Sequence, residues 1–258
     1  MTAKGNRTMR AKGFTLVEVM VAATIVVVLA GIAVHASRGA VRQAQMSASV
    51  SNLRQLASAN AGYVADHGTY APATDQRNQV RWHGARSSGS APFDPREGYL
   101  SPYLGGSRRI GMCPGLVDHL EGDESWEDGS GGYGYNAIYV GGTPENPFQP
   151  SRPSRIRHPA RTLMFATTAF ARGDGLQEYP FAEPRFWVDP NGNPGGPLQP
   201  SVHFRFGGRA LICWCDGHVS AERMNESSEI NYYGGDNEKQ QIGFPGPEKN
   251  NGWWNPDK

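Results

Sequence analysis

The sequence is poor in charged residues. Only 19% of its 258 residues are charged, and the formal net charge is +1 with a pI near 7.8. A nucleic-acid-binding surface requires clustered basic residues, so this balance gives no basis for a nucleic-acid partner. The sequence also lacks paired cysteines and histidines at zinc-ligand spacing, which argues against a structural zinc site.

Cysteine is scarce as well, and the three residues Cys113, Cys213 and Cys215 allow at most one disulfide. Cys213 and Cys215 stand on one face of a predicted strand, with Trp214 on the opposite face. Neighbours at that spacing rarely have disulfide geometry, so a bridge from Cys113 to Cys213 or Cys215 is one interpretation. Three reduced thiols that serve as small hydrophobic side chains are the other.

Charge is almost absent between Phe14 and Val34, where Glu18 is the single ionisable side chain. An apolar run of this length covers a bilayer core of about 30 Å as one helix. An acidic residue inside such a helix costs on the order of 2.5–3.5 kcal/mol at the helix centre, so it usually faces a partner. The sequence therefore predicts a transmembrane helix over residues 14–34 with a functional carboxylate at position 18.

The segment in front of this run has no acidic residue, but it has four basic ones: Lys4, Arg7, Arg10 and Lys12. Positive flanks stay on the cytoplasmic side, so the chain after Val34 is expected outside the cytoplasm. Two other interpretations remain open. The run can be a secretory signal peptide cut after Ala36, or an ordinary membrane anchor in which Glu18 reaches interfacial water.

Apolar residues continue at helical spacing beyond the membrane segment, at Met46, Val50, Leu53, Leu56, Ala57, Tyr63 and Val64. This pattern predicts one helix that continues over residues 35–66 and packs its apolar stripe on a soluble domain. Gly68 and Pro72 end the pattern. The remaining residues, 67–258, form the predicted head domain.

The head is rich in glycine and proline, and short apolar segments lie between its loops. These segments predict strands at Tyr133–Tyr139, Thr162–Thr167, Val202–Phe206, Ala210–Cys215 and His218–Ser220. The fourth strand is apolar on both faces and is therefore expected at the centre of the sheet. Gly207 and Gly208 permit one turn, and Asp216 with Gly217 predicts a two-residue type I′ turn. The resulting class is α+β, with the helix on an antiparallel meander.

The N-terminal stretch Lys12-Gly13-Phe14-Thr15-Leu16-Val17-Glu18 resembles the prepilin N-terminus of bacterial type IV pilins and type II secretion pseudopilins. The resemblance implies a leader at residues 1–13, cleavage between Gly13 and Phe14 by a prepilin peptidase, and N-methylation of Phe14. It also implies a role for Glu18 in assembly. The new amine at Phe14 can pair with the carboxylate of a neighbouring subunit, which satisfies two charges that are hard to bury alone.

A second stretch, from Arg205 to Val219, is similar to the C-terminal signature of a pseudopilin-like family in which nine residues separate a histidine from Asp-Gly. Asp216-Gly217 is retained here, but Phe206 occupies the histidine position. We do not transfer the role of that histidine to His203. Asp216 can be drawn as an acid-base or metal pair with His218 or His203, but no nucleophile or third ligand stands at convincing spacing. We therefore interpret this stretch as a structural hairpin.

Some pseudopilins of this resemblance bind calcium in a loop near the C-terminus, and this chain has Asp236, Asn237 and Glu238 in such a loop. Calcium takes about six to eight oxygen ligands. The alternative is a solvated polar loop, and Asp174, Asp189 and Asn191 are equally suitable as ligands. No other cofactor is predicted.

The resemblance predicts a pilin-like fold and a structural subunit of a type IV pilus-like or type II secretion pseudopilus filament, not an enzyme. Its expected partners are identical or minor pilin subunits, the prepilin peptidase, an inner-membrane assembly platform and membrane lipid. The expected location is the inner membrane, as a single-pass protein with a cytoplasmic N-terminus and a periplasmic head. A protein of another class stays open, namely a membrane-anchored periplasmic binding protein or hydrolase that uses a pilin-like export signal.

Overall fold

A computed structural model describes residues 15–117, 119–120, 127–173, 175–189, 191, 193–246 and 251–257, without the side chains of residues 33–36 and 38. The chain divides into two compact units, residues 1–43 and 44–258. The predicted processing residues Gly13 and Phe14 lie outside the described residues.

The described helices are α1 (Leu16–His67) and the short α2 (Pro114–Val117), with 3-10 turns at Ser101–Tyr103, Gly105–Ser107 and Pro153–Arg155. The described strands are β1 (Val80–Arg81), β2 (Gly84–Ala85), β3 (Tyr133–Tyr135), β4 (Leu163–Thr167), β5 (Phe170–Arg172), β6 (Gly175–Gln177), β7 (Phe186–Val188), β8 (Pro194–Pro197), β9 (Val202–His203), β10 (Arg209–Trp214), β11 (Val219–Glu226) and β12 (Ile242–Pro245).

In the first unit, the described chain is the N-terminal part of α1. Its large apolar side chains are exposed, from Leu16 at 77% to Ile32 at 62%. Among the residues that the structure describes, no helix is both long enough and apolar enough to cross a membrane.

In the second unit, the C-terminal part of α1 contributes its apolar stripe to the core. Leu53 and Leu56 are completely buried, and Ala57 is nearly so. Leucine has a high helix propensity, and its burial against the sheet stabilises the helix beyond that propensity. The helix ends at His67, and Gly68 follows with φ of +74°. The Gly68 N–H donates to the Val64 carbonyl at 2.8 Å, which satisfies one of the carbonyls at the helix end.

The main sheet has six antiparallel strands in the order β3-β4-β10-β11-β12-β9. Only part of it is a meander. The consecutive strands β10, β11 and β12 are neighbours, but β4 pairs with β10 rather than with the next strand in sequence. The segment between them instead forms two separate ribbons, β5-β6 and β7-β8. The predicted simple meander is therefore wrong for this segment, since its glycines and prolines place short ribbons outside the main sheet.

Strand β10 lies between β4 and β11 and has two buried faces, as its apolar composition predicts. Leu211 and Cys213 pack in the same cluster as Leu53 and Leu56 of the helix. On the opposite face, Ile212 packs in a second cluster, which also holds Trp214 and Trp254. The sheet is thus the middle layer of the second unit, with the helix on one face and the C-terminal tail on the other.

A buried amide fixes the helix to its neighbours. Asn60 is fully buried, and its Nδ2 donates to the Tyr135 hydroxyl at 3.0 Å. Its Oδ1 accepts from the Ala71 N–H at 2.9 Å, in the segment that follows the helix. Because a buried polar group without a partner is destabilising, these bonds favour one position of the helix on the sheet.

Candidate functional site

The first described residues of the chain form a capping box at the start of α1. Glu18 Oε2 accepts from the Thr15 N–H at 2.8 Å and from Thr15 Oγ1 at 2.9 Å. In return, the Glu18 N–H donates to Thr15 Oγ1 at 3.2 Å. Thr15 is therefore the N-cap and Glu18 is the third helical residue, which is the reciprocal arrangement of this motif. It satisfies donors at the helix start and places negative charge where the helix dipole favours it.

The helix that follows this cap presents an apolar surface. Val17, Ile25 and Val27 are 67%, 53% and 71% exposed, and the other large apolar side chains between Leu16 and Ile32 are similarly open. A contiguous exposed apolar surface of this kind marks contact with lipid or with other proteins. The Glu18 side chain is exposed at one end of it.

The two glycine turns of the C-terminal hairpin differ from each other. Gly207 and Gly208 both have positive φ, +65° and +76°, and the Phe206 N–H donates to the Arg209 carbonyl at 3.0 Å. Two positive φ values in a two-residue loop define a type I′ turn. Both positions therefore have a left-handed backbone conformation, which glycine adopts more readily than other residues do.

The predicted type I′ turn at Asp216-Gly217 is wrong. Only Gly217 has positive φ, +89°, and its N–H donates to the Trp214 carbonyl at 2.9 Å. The Trp214 N–H donates to the His218 carbonyl at 3.0 Å. The loop therefore has three residues and ends in a left-handed glycine, which is the common alternative when one strand carries a bulge.

Asp216 and His218 contact each other in this loop. Asp216 Oδ1 lies 2.7 Å from His218 Nδ1, and both side chains are partly exposed. His203 lies on β9, where burial lowers its pKa well below the usual value, with Arg205 and His119 adding to the shift. Among the described residues, no three His, Cys, Asp or Glu side chains are grouped as metal ligands.

Phe206, at the position where the similar family has histidine, packs rather than ionises. It is half-buried, and its Cε1 would lie only 2.9 Å from a Cβ placed on Gly115. The ring thus covers the backbone at the start of α2.

The three cysteines belong to one hydrophobic cluster but are free thiols, so the bridge from Cys113 to Cys213 or Cys215 is not formed. Cys113 Sγ lies 3.2 Å from the Ser49 hydroxyl of α1. Burial raises the pKa of Cys213 to about 12, and it raises the pKa of Cys215 further. Thiols held protonated in this way are unreactive hydrophobic side chains.

The loop proposed for calcium does not bring its three side chains together. Asn237 is buried, and its Oδ1 accepts from Asn231 Nδ2 at 2.8 Å, while Asp236 and Glu238 are exposed. Elsewhere, Asp189 accepts from the backbone of Asn191 at 2.9 Å and of Asn193 at 2.8 Å, within its own turn. Asp174 lies outside the described residues.

Thr15 is the residue that sequence reasoning missed. The pattern Thr-x-x-Glu directly before an apolar helical run is a capping-box signature, and it was present at residues 15–18.

In the comparison with protein families, the model of the prokaryotic N-terminal methylation motif matches residues 8–34. The chain thus carries the prepilin-type cleavage and methylation signal of type IV pilin-like proteins. Neither the curated proteins nor the solved structures contain a significant match to the chain.

This signal contains the capping box and most of the exposed apolar surface. It indicates a pilin- or pseudopilin-like substrate of prepilin peptidase that is membrane-anchored or associated with a filament. It also indicates assembly with other pilin subunits and favours a structural role over catalysis.

Proposed function

We propose that this protein is a structural subunit of a type IV pilus-like or type II secretion pseudopilus filament. In this proposal, a prepilin peptidase removes residues 1–13, Phe14 is N-methylated, and residues 14–34 anchor the chain in the inner membrane with the head in the periplasm. The observation that carries the proposal is the methylation motif at residues 8–34, which includes most of the exposed apolar part of α1.

The exposed apolar part of α1 supports a transfer of the subunit from the lipid bilayer into a filament. Side chains such as Val27, 71% exposed, and Ile32, 62% exposed, need an apolar environment. Before assembly that environment is lipid, and in a filament it is the corresponding helix of identical or minor subunits. An inner-membrane assembly platform would carry out the transfer.

The capping box supports a specific role for Glu18 in this transfer. Among the described residues, the carboxylate accepts hydrogen bonds from the uncharged donors of Thr15. The cationic amine of a neighbouring subunit's Phe14 would bring the opposite charge as well as a donor, and the two groups would form an ion pair. Thr15 thus holds the carboxylate at the helix start until a subunit amine reaches it.

Two substitutions separate capping from assembly. Thr15→Val removes the N-cap hydroxyl but keeps the carboxylate, whereas Glu18→Ala removes the carboxylate itself. We expect filament assembly in the Thr15→Val variant and its loss in the Glu18→Ala variant, measured by shearing and electron microscopy. Intact mass of each variant checks that processing has occurred.

Absence of filaments from the unaltered protein would contradict the proposal and favour the alternative of an anchored periplasmic binding protein or hydrolase. Equal filaments in the unaltered protein and in both variants would show that Glu18 has no role in assembly. Equal loss in both variants would mean that Glu18 acts through the helix cap alone.

A further inference from the structure

A cleft of about 350 Å³ opens in the second unit where three loop segments meet, around residues 93–95, 109–112 and 128–131. Its size is within the range of small-ligand pockets. Four apolar side chains line it: Phe93, Pro95, Ile110 and Met112. Met112 is 39% exposed, so part of this apolar surface is accessible from solvent.

The charged groups of the cleft have both signs. Arg109, Asp128 and Glu178 line it together with the apolar side chains. A cationic ligand would meet Arg109, and an anionic ligand would meet two carboxyl groups. A neutral ligand that both donates and accepts hydrogen bonds avoids both repulsions, and hydroxyl groups have this property.

Glu178 is fixed in place at the buried end of the cleft, with 1% of its surface exposed. Its Oε2 accepts from the Ser130 hydroxyl at 3.0 Å and from the Gly131 N–H at 2.8 Å. Burial raises the pKa of this carboxyl, and the charge of Asp128 adds to the shift. A carboxyl held in one orientation by two donors is suited to bind a ligand hydroxyl.

A buried imidazole lies next to the cleft, although it is not one of the lining residues. His83 is 2% exposed, and neither of its ring nitrogens has a hydrogen-bond partner among the described residues. Its Nδ1 would lie 3.3 Å from a Cβ placed on Gly129, with Pro95 Cβ at 3.6 Å from the same point. Gly129 and Pro95 both line the cleft, and the imidazole packs behind them. Glycine has no side chain, so only backbone separates the ring from the cleft at Gly129.

An unpartnered buried imidazole is destabilising. Burial, with the charges of Arg81 and Arg86, lowers the pKa of His83 well below its usual value, so the ring is neutral. A neutral imidazole has one donor and one acceptor, which again matches a hydroxyl group.

We propose that this cleft binds a small neutral polyhydroxylated ligand of the monosaccharide class. Its hydroxyl groups would bind Glu178, Asp128 and Arg109, and its C–H face would pack on the exposed side chain of Met112. This inference goes beyond the filament role and does not depend on it, because the cleft lies wholly within the second unit.

The test is saturation-transfer NMR on the full-length chain in detergent, with glucose, galactose and N-acetylglucosamine as probes. Agmatine and citrate serve as the cationic and anionic comparison ligands. We expect saturation transfer from the protein to at least one sugar. Neither agmatine nor citrate should bind. Glu178→Gln and Arg109→Ala should each weaken sugar binding about tenfold, the effect of losing about 1.4 kcal/mol of hydrogen bonding.

Arg109 is exposed, so its variant tests the cleft even if the buried Glu178→Gln variant fails to fold. Glu145→Gln is the matched control, because Glu145 is a surface carboxylate that pairs with Arg155 and does not line the cleft. Three results would overturn the proposal: no sugar signal at tens of millimolar, binding of agmatine or citrate instead, or equal sugar affinity in the Arg109→Ala, Glu145→Gln and unaltered proteins. None of these results bears on filament assembly.

Discussion

At the scale of single residues, the chain buries polar groups in two ways. Asn60 has partners for both its amide nitrogen and its amide oxygen, whereas both ring nitrogens of His83 lack a partner among the described residues. A satisfied amide stabilises a position, and an unsatisfied ring destabilises the fold unless a ligand completes it. The contrast marks Asn60 as a residue that fixes the helix and His83 as a residue that destabilises the fold.

The burial of His83 leads to a prediction about pH. Because burial keeps its pKa well below the usual value, the unfolded chain binds a proton at this residue below about pH 6.5 and the folded chain does not. His83 therefore lowers the free energy of unfolding as the pH falls through that region, by at most about 1.4 kcal/mol per pH unit.

We expect His83→Gln to lose less stability than the unaltered protein between about pH 7.5 and about pH 5.5. Urea unfolding followed by tryptophan fluorescence measures the difference. His158→Gln, at an exposed histidine, should keep the pH dependence of the unaltered protein. A pH dependence in His83→Gln equal to that of the unaltered protein would show that His83 is not the source.

At the scale of elements, the C-terminal part of α1 is held by its apolar face. Leu56 is fully buried there, while its neighbour Gln55 is exposed. Leu56→Ala should lower the free energy of unfolding by about 2–5 kcal/mol, because it removes buried methyl groups and leaves a cavity.

Gln55→Ala on the same turn should change the free energy of unfolding by no more than about 0.5 kcal/mol. Chemical denaturation of both variants measures this pair. Similar losses in the two would mean that the helix does not depend on its packing against the sheet.

Regular hydrophobic patterns made the helix and the central strand predictable from sequence. The three- and four-residue spacing that includes Leu53 and Leu56 identified the buried face of the helix, and two apolar faces identified β10. The prediction of a two-residue turn at Asp216-Gly217 was wrong, because Asp-Gly is compatible with both a two-residue and a three-residue loop. Only the strand register decides between them, and a local dipeptide does not determine that register.

The ribbons and the cleft were not predictable for a different reason. The strand β8, with the sequence Pro-Gly-Gly-Pro, has almost no strand propensity and forms by pairing with β7. The cleft brings together Phe93, Arg109, Asp128 and Glu178 from distant parts of the sequence. No spacing rule relates such residues, since only the folded chain places them together.

At the scale of the whole molecule, the two units have separate tasks in this account. The first carries the processing signal and the apolar helix surface, and the second carries the sheet and the cleft. Changes in the cleft should therefore leave assembly intact, and changes at Glu18 should leave the cleft intact.

The central claim is that the chain is processed as a prepilin. The most direct measurement is the intact mass and N-terminal sequence of the protein purified from membranes of cells that contain a prepilin peptidase. The account predicts a chain that begins at N-methylated Phe14. A chain that still begins at Met1, or one cut after Ala36, would contradict it.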